Sequence, residues 1–355
     1  MMAVLALTSK AAALGGRVRE AFPGADLFVP ERYRSGYPGS LAIEDSLGTF
    51  VSFLWPRYTR FVFVMAAGIV VRTVAPLLKS KLEDPAVVVL DEQGRYAIPL
   101  LSGHLGGANE LAREIAARVG AVPVITTASD VEGIPAVDDL ARNNNGFLEN
   151  LQDWKKIALA LLEQKPVGLY STVGLEADFP PYVRRLDSPD DTGSPSDVKG
   201  MLQGMIYITE KILGAKPAVP HVILRPRNII VGIGCKKGKT KQEITAAVEQ
   251  VLHGLQVSPC SIAHLATVEL KKDEPGLVET AAALGVPLKW VSAGEIKEVE
   301  EMFCCSEFVS TKVGAGAVAE PSAWLTARKP HLLTPKVVFS GITIAVVKDL
   351  SVVIS

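Results

Sequence analysis

The sequence predicts an α/β protein of several domains, built on mainly parallel sheets flanked by helices. Three observations carry this. Apolar runs of strand length recur along the 355 residues and alternate with segments whose apolar residues fall at helical spacing. The hydrophobic fraction, 48%, is ample for sizeable cores. The length suits two or three domains.

Taken in order, Ala3–Leu7 reads as a strand and Ser9–Ala21 as a helix. Phe50–Phe53, Phe61–Met65, Ala86–Leu90, Ala97–Leu101 and Val122–Thr126 read as further strands, with helices over Ile69–Leu78 and Ala108–Val119. These elements make residues 1–130 an amino-terminal α/β domain. A central domain follows over 131–222. Gly133-Ile-Pro135 and Asn143-Asn-Asn-Gly146 are turns, Leu148–Gln164 an amphipathic helix and Val167–Tyr170 a strand. Its polar stretch Pro180–Gly200 reads as a mobile loop. Lys216–Asn228, with three prolines, reads as a stiff linker plus one strand. The third domain, 229–355, predicts strands at Ile229–Ile233, Ile262–Val268 and Leu288–Val291. Its helices are Lys241–Leu252, Glu274–Leu284 and Glu295–Met302. Val337–Phe339 and Thr343–Lys348 close it as paired strands around Gly341, an antiparallel edge.

Bulk properties exclude several classes. The net charge of −1 creates no global field for nucleic acid or a membrane surface. Four cysteines, with Cys304 and Cys305 adjacent, are no disulfide framework and suit a reducing cytoplasm. Met1–Leu14 is interrupted by Thr8, Ser9 and Lys10 and reads as a strand and helix start rather than a signal peptide. No uncharged apolar run is long enough to span a bilayer. The five histidines are scattered, and no His/Cys spacing suggests a metal site.

The densest chemical signal is Ser102-Gly-His-Leu-Gly-Gly107, between a strand and the helix from Ala108. Backbone N–H groups at a helix start are free to hold an anion or oxyanion. His104 stands among them and titrates near neutral pH; the plainer reading is a loop histidine bonded to the backbone. Ser102 and Asn109 flank it as further catalytic candidates, although Leu100 stands where a nucleophile elbow needs its first glycine. Gly68 and Arg72 lie at another strand–helix junction, where arginine either pairs with a carboxylate ligand or is simply solvated. Thr126, Thr127 and Asp130 end a strand with hydroxyls and a carboxylate, suited to a ligand or to turn capping.

Gly232-Ile-Gly-Cys-Lys-Lys-Gly-Lys-Thr240 nearly matches two nucleotide signatures. The dinucleotide fingerprint requires glycine where Lys237 stands, and the P-loop requires it where Ile233 stands. The loop reads as another kind of lysine-bearing anion loop, or as a tight turn. Cys235 is either a reactive thiolate between lysines or a buried thiol. Glu269, Lys271 and Glu274 line a site or a solvated strand edge.

Together these residues resemble the CbiG family of anaerobic cobalamin biosynthesis, the cobalt-precorrin-5A hydrolases. Ala67-Gly-Ile-Val-Val-Arg72, Lys81–Asp91, Pro99–Asn109 and Val124–Asp130 look like its amino-terminal domain. Val231–Gly238, Leu265–Glu274 and Gly314–Pro321 look like its carboxy-terminal domain, which also occurs alone as the CobE-type protein. The family often has Thr where Ser129 stands and cysteine where Ala319 stands.

The resemblance implies a cobalt-containing, ring-contracted tetrapyrrole substrate, cobalt-precorrin-5A, with many carboxylates and a lactone joining a ring A acetate to C20. Water opens the lactone, and C20 leaves with its methyl as acetaldehyde. The cobalt belongs to the substrate, so no separate cofactor or metal is expected. Read onto this chain, His104 serves as the base, N–H groups around Gly106 and Gly107 are the oxyanion donors, and Gly103 binds substrate. Gly68, Arg72, Lys81, Thr126, Thr127, Lys236, Lys271 and Glu274 bind substrate. Neighbouring pathway enzymes are candidate partners; nucleic acid and membranes are not. A non-catalytic corrinoid carrier or scaffold and a P-loop-like small-molecule kinase are the alternatives from other classes.

Overall fold

The computed structural model describes residues 1–80, 83–104, 106–135, 137–189, 202–214, 217–303 and 317–355. Lys81, Cys304, Cys305 and Gly314 therefore lie outside the described residues. The chain divides into two compact units, Met1–Asp139 and Leu140–Ser355.

The first unit is one seven-stranded sheet. Its strands are β1 (Met2–Ala6), β2 (Ala25–Pro30), β3 (Leu41–Ile43), β4 (Arg60–Val64), β5 (Ala86–Leu90), β6 (Tyr96–Leu101) and β7 (Val122–Pro123). The order is β3-β2-β1-β4-β5-β6-β7, with only β5 and β6 antiparallel. Successive side chains point to opposite faces. Val4, Val62 and Val88 therefore meet α1 (Ser9–Ala21) and α5 (Ala108–Val119). Leu5, Phe61 and Val87 meet α3 (Leu47–Leu54) and α4 (Ala67–Val74) on the other face. Burial on both faces explains why these strands read as unbroken apolar runs. The short helices α2 (Glu31–Arg34) and α6 (Ala128–Val131) also belong to this unit, and α7 (Val137–Asn143) begins in it and runs past its end at Asp139.

Phe50–Phe53, expected as a strand, lies inside α3. Ser46 caps that helix through the Thr49 N–H, and Val51 and Leu54 are buried one turn apart. An apolar run this short fits either period, and the cap decides. Leu148–Gln164 is likewise not one helix. Asn150, at φ 61°, breaks it into β8 (Phe147–Glu149) and α8 (Trp154–Leu162).

Among the described residues, the second unit carries two five-stranded sheets and one two-stranded pair. In the first, β9 (Val167–Ser171), β11 (Val183–Leu186), β12 (Met205–Ile208) and β13 (His221–Arg225) run parallel in the order β11-β9-β12-β13, and β8 closes the edge antiparallel. The expected loop at Pro180–Gly200 thus contains β11; its residues from 190 on lie outside the described residues. Strand β10 (Gly174–Leu175) pairs with β19 (Val353–Ile354).

The second sheet holds β14 (Ile229–Cys235), β15 (Ile262–Val268) and β16 (Leu288–Val291) in parallel, with β17 (Pro330–Phe339) and β18 (Ile342–Asp349) antiparallel at its edge. Helices α9 (Lys241–Gly254) and α10 (Pro275–Leu284) cover one face. The other face receives α12 (Ala319–Leu325), and α11 (Ala293–Val299) follows β16. Among the described residues, no helix is long and apolar enough to cross a membrane.

Candidate active site

The turn after β6 is built by its glycines and by its own backbone hydrogen bonds. Ser102 sits at φ 55° and Gly107 at φ 81°, both in the left-handed region. A Cβ on Gly106 would fall 2.4 Å from Ser102 Cβ, so only glycine fits there. The N–H groups of Gly107, Ala108 and Asn109 donate to the carbonyls of His104 (2.8 Å), Ser102 (3.1 Å) and Gly103 (3.0 Å). Three of the amides expected to stand free at the start of α5, those of Gly107, Ala108 and Asn109, are therefore committed to the turn. That internal ladder fixes the backbone of His104 instead of holding an anion.

His104 projects between two carboxylates. Its Nδ1 lies 2.5 Å from Asp139 Oδ2, and its Nε2 lies 3.4 Å from Asp130 Oδ2. The imidazole is mostly enclosed, with 17% of its side chain exposed. The hydrogen bond that the ring donates to Asp139 lifts the imidazole above its ordinary value; partial burial opposes this, and the charges of Asp139, Asp138 and Asp130 reinforce it.

Asp130 is held from behind. Its Oδ2 accepts from Asn109 Nδ2 at 2.9 Å, and its Oδ1 pairs with Arg113. Asn109 also donates to Thr127 Oγ1 at 2.8 Å. Both amide hydrogens of this buried asparagine are thus used in bracing α6 against α5. Ser102 Oγ donates to the Asp84 carbonyl at 2.8 Å, tying the turn to the chain before β5. Asn109, Thr127 and Ser102 are struts of the turn in this arrangement. Thr126 is exposed beside them.

Gly68 and Arg72 stand elsewhere. Val87 at the start of β5 pairs with Leu101 at the end of β6, which puts the His104 turn at the edge where β4 and β5 begin. Gly68 and Arg72 follow the far end of β4, and Arg72 Nη1 reaches back to the Gly68 carbonyl at 3.4 Å. The two groups occupy opposite edges of the sheet, a strand's length or roughly 17 Å apart. The family resemblance, read onto the sequence, puts both groups around one substrate. Asp91 accepts from the N–H groups of Gln93 and Tyr96 in the β5–β6 turn.

In the second unit, Lys271 and Glu274 do come together at the ends of β14 and β15. Lys271 Nζ is 3.7 Å from Glu274 Oε2, while Glu274 Oε1 accepts from Gly238 N–H. Lys236 is exposed, and its aliphatic stem lies against Gly341 in the β17–β18 turn. Burial pushes the Cys235 thiol up, against the pull of Lys271 and Lys239, so it stays a neutral thiol.

Sequence reasoning missed Asp139 and Arg113. The pair Asp138-Asp139 at the start of α7 was the available signal, but acids in a first helical turn are ordinary. Among the described residues, no group of three or more His, Cys, Asp or Glu is arranged to hold a metal ion.

Three family models match the chain: cobalamin synthesis G N-terminal over 49–130, cobalamin biosynthesis central region over 135–226, and cobalamin synthesis G C-terminus over 229–347. A cobalt-precorrin-5A hydrolase of Salmonella typhimurium is 33% identical over 345 residues, covering 97% of this chain and 96% of that protein. One from Priestia megaterium is 30% identical, covering 97% of this chain and 94% of its own. Protein CobE of a Sinorhizobium species is 27% identical over 119 residues, which is 33% of this chain and 77% of that protein. A solved cobalamin biosynthesis protein G homolog from Sulfolobus solfataricus shares 25% identity over 98% of this chain and 97% of that one, with a TM-score of 0.41.

Proposed function

The chain belongs to the CbiG family of cobalamin biosynthesis, and from that premise we propose that it is a cobalt-precorrin-5A hydrolase whose base is His104. It opens the ring A lactone of its substrate and releases C20 with its methyl as acetaldehyde. The observation that carries the catalytic assignment is the 2.5 Å contact between His104 Nδ1 and Asp139. A histidine bonded this way through Nδ1 keeps Nε2 as its basic nitrogen.

The chemistry then runs as follows. Nε2 takes a proton from water as the oxygen adds to the lactone carbonyl. The tetrahedral centre collapses, the acyl–oxygen bond breaks and the ring A acetate is freed as a carboxylic acid, which loses its proton to solvent. The oxygen on C20 takes up the proton that His104 received. Loss of that hydroxyl proton, with cleavage of the bond from C20 to the ring carbon, yields acetaldehyde; the bonding pair stays on the macrocycle and is protonated there. Asp139 stabilises the imidazolium while it holds the proton. Cobalt arrives with the substrate, and no resident cofactor enters this scheme. The setting is the cytoplasm, where neighbouring enzymes of the pathway would supply the substrate and take the product.

The deciding experiment is incubation with anaerobically prepared cobalt-precorrin-5A and measurement of volatile aldehyde. Stoichiometric acetaldehyde with loss of the lactone is expected. Tight corrinoid binding without acetaldehyde would instead make the protein a carrier.

A further inference from the structure

We propose that Asp139 is the positioning residue for His104: its carboxylate, carried on α7, fixes the tautomer of the imidazole and so leaves Nε2 as the nitrogen that exchanges protons. The kinetic part of this proposal rests on the hydrolase reading, whereas the structural part stands on the geometry of the first unit alone.

Two carboxylates face one imidazole, and their surroundings assign them different work. Asp139 Oδ2 stands at 2.5 Å from Nδ1, well within hydrogen-bond range. Asp130 Oδ2 stands at 3.4 Å from Nε2, beyond the usual range. That same oxygen already accepts from Asn109 at 2.9 Å, and the other oxygen of Asp130 pairs with Arg113. Asp130 is thus part of the bracing between α5 and α6, and its charge is balanced by the guanidinium. The strong directional contact to the ring comes from α7, 35 residues further along the chain. Rotation of the imidazole about its bond to the backbone would break that contact, and the committed amides of the turn hold the backbone beneath it.

The charged groups around the ring are Asp138 and Asp139 on α7, Asp130 on α6, and Arg113 with its partner Glu110 on α5. The Asp139 hydrogen bond, the largest cause, together with the charges of Asp139, Asp138 and Asp130 keeps the imidazole protonated to a higher pH than usual, against the opposing effect of partial burial. A base must be neutral to accept a proton. Activity therefore rises with pH through a value above that of an ordinary histidine. Removing the Asp139 charge lets the ring lose its proton earlier, so this limb moves to lower pH.

The test uses the full chain and the variants Asp139→Asn and Asp139→Glu. In Asp139→Asn, kcat should fall about 10²-fold to 10⁴-fold. KM should hold, and the acid limb of the pH profile should move down. Asp139→Glu should recover part of the rate. Nitrogen-15 NMR of the His104 ring gives a readout independent of turnover. The neutral ring of the native protein should carry its hydrogen on Nδ1, and Asp139→Asn should shift it toward Nε2. An Nε2–H tautomer in the native protein overturns the proposal even when the variant fails to fold. So does an Asp139→Asn enzyme with native kcat and an unmoved acid limb. If the native protein releases no acetaldehyde yet shows the Nδ1–H tautomer and its loss in Asp139→Asn, the hydrolase reading fails and the positioning role stands.

Discussion

Glu274 sets one carboxylate oxygen 2.5 Å from the backbone nitrogen of Gly238, across 36 residues of sequence. The glycine loop after β14 therefore already holds an anion, supplied by the chain itself. The next turn is closed as well. Thr240 and Glu243 form a capping box at the start of α9, and Lys239 pairs with Glu243 at 2.7 Å. In a phosphate-binding loop those N–H groups and that lysine would be offered to the ligand. The chain should accordingly bind neither ATP nor NAD at 232–240. Isothermal calorimetry checks this; saturable micromolar binding that disappears in Lys239→Ala would sink it.

Replacing His104 is the direct trial of the catalytic assignment. His104→Asn retains a polar group of similar reach but removes the titratable nitrogen. Loss of a general base typically costs about 10²-fold to 10⁴-fold in rate. Turnover should fall by that amount while the melting temperature and corrinoid affinity stay near native, because the turn is held by backbone hydrogen bonds rather than by the imidazole. An unimpaired variant removes His104 from the mechanism.

Much of this architecture was legible before any coordinates, and the reasons differ by element. Ala86–Leu90 and Ala108–Val119 match their predicted bounds because one is an unbroken buried run and the other ends at Gly120 in the left-handed conformation suited to a cap. The Gly-His-Leu-Gly-Gly turn was visible because its glycines are required by close packing and by positive φ. Strands β2, β3 and β12 escaped. Asp26 interrupts the first, the second is only three residues long, and the four residues of the third follow a polar stretch. The site itself was half legible. His104 announced itself through local sequence, but Asp139 reaches it from 35 residues away, and no local pattern encodes such a contact. Arg72 misled for the complementary reason. It sits at a strand–helix junction like that of His104, and the reversal of β6 relative to β5 sends the two to opposite edges.

The buried pair of Glu210 and Lys348 gives a stability prediction with a definite pH sign. Lys348 Nζ lies 2.7 Å from Glu210 Oε1, with only 2% of the glutamate side chain exposed. Burial works against its charge, yet the hydrogen bonds from Lys348 and Thr172 hold its carboxyl below the ordinary value. A depressed folded value means stabilisation that is present above the unfolded glutamate range and is lost as pH falls through the lowered value. Lys348→Met leaves a buried carboxylate unpaired, which should cost about 3–5 kcal/mol at neutral pH. In that variant burial is opposed only by the hydrogen bonds from Thr172 and the backbone, so protonation relieves the penalty. Denaturant titrations should show the gap to the native protein narrowing as pH falls from about 7 to about 3. A gap that is constant or widens would mean the pair is not the source of the stabilisation.

Lys236 and Lys271 test the division of labour between the two units. The chemistry is assigned to the first unit, around His104, and the second unit offers cations at the ends of β14 and β15. A polycarboxylate substrate gains from such cations in the bound state and the transition state alike, so their loss should raise KM and spare kcat. The environments of the two lysines rank the effects. Lys236 is exposed and packs only its stem against the Gly341 turn. Lys271 is more enclosed and stands near Glu274, which already offsets part of its charge. Exposed ion pairs are worth about 0.2–1 kcal/mol. Lys236→Ala should then raise KM by up to about fivefold, and Lys271→Ala by less. Rising salt should shrink both differences, because screening weakens the native contact while the alanine variants have nothing to screen. Steady-state kinetics at two ionic strengths measure this. A variant that lost kcat with KM unchanged would place the chemistry in the second unit and remove His104 from its assigned role.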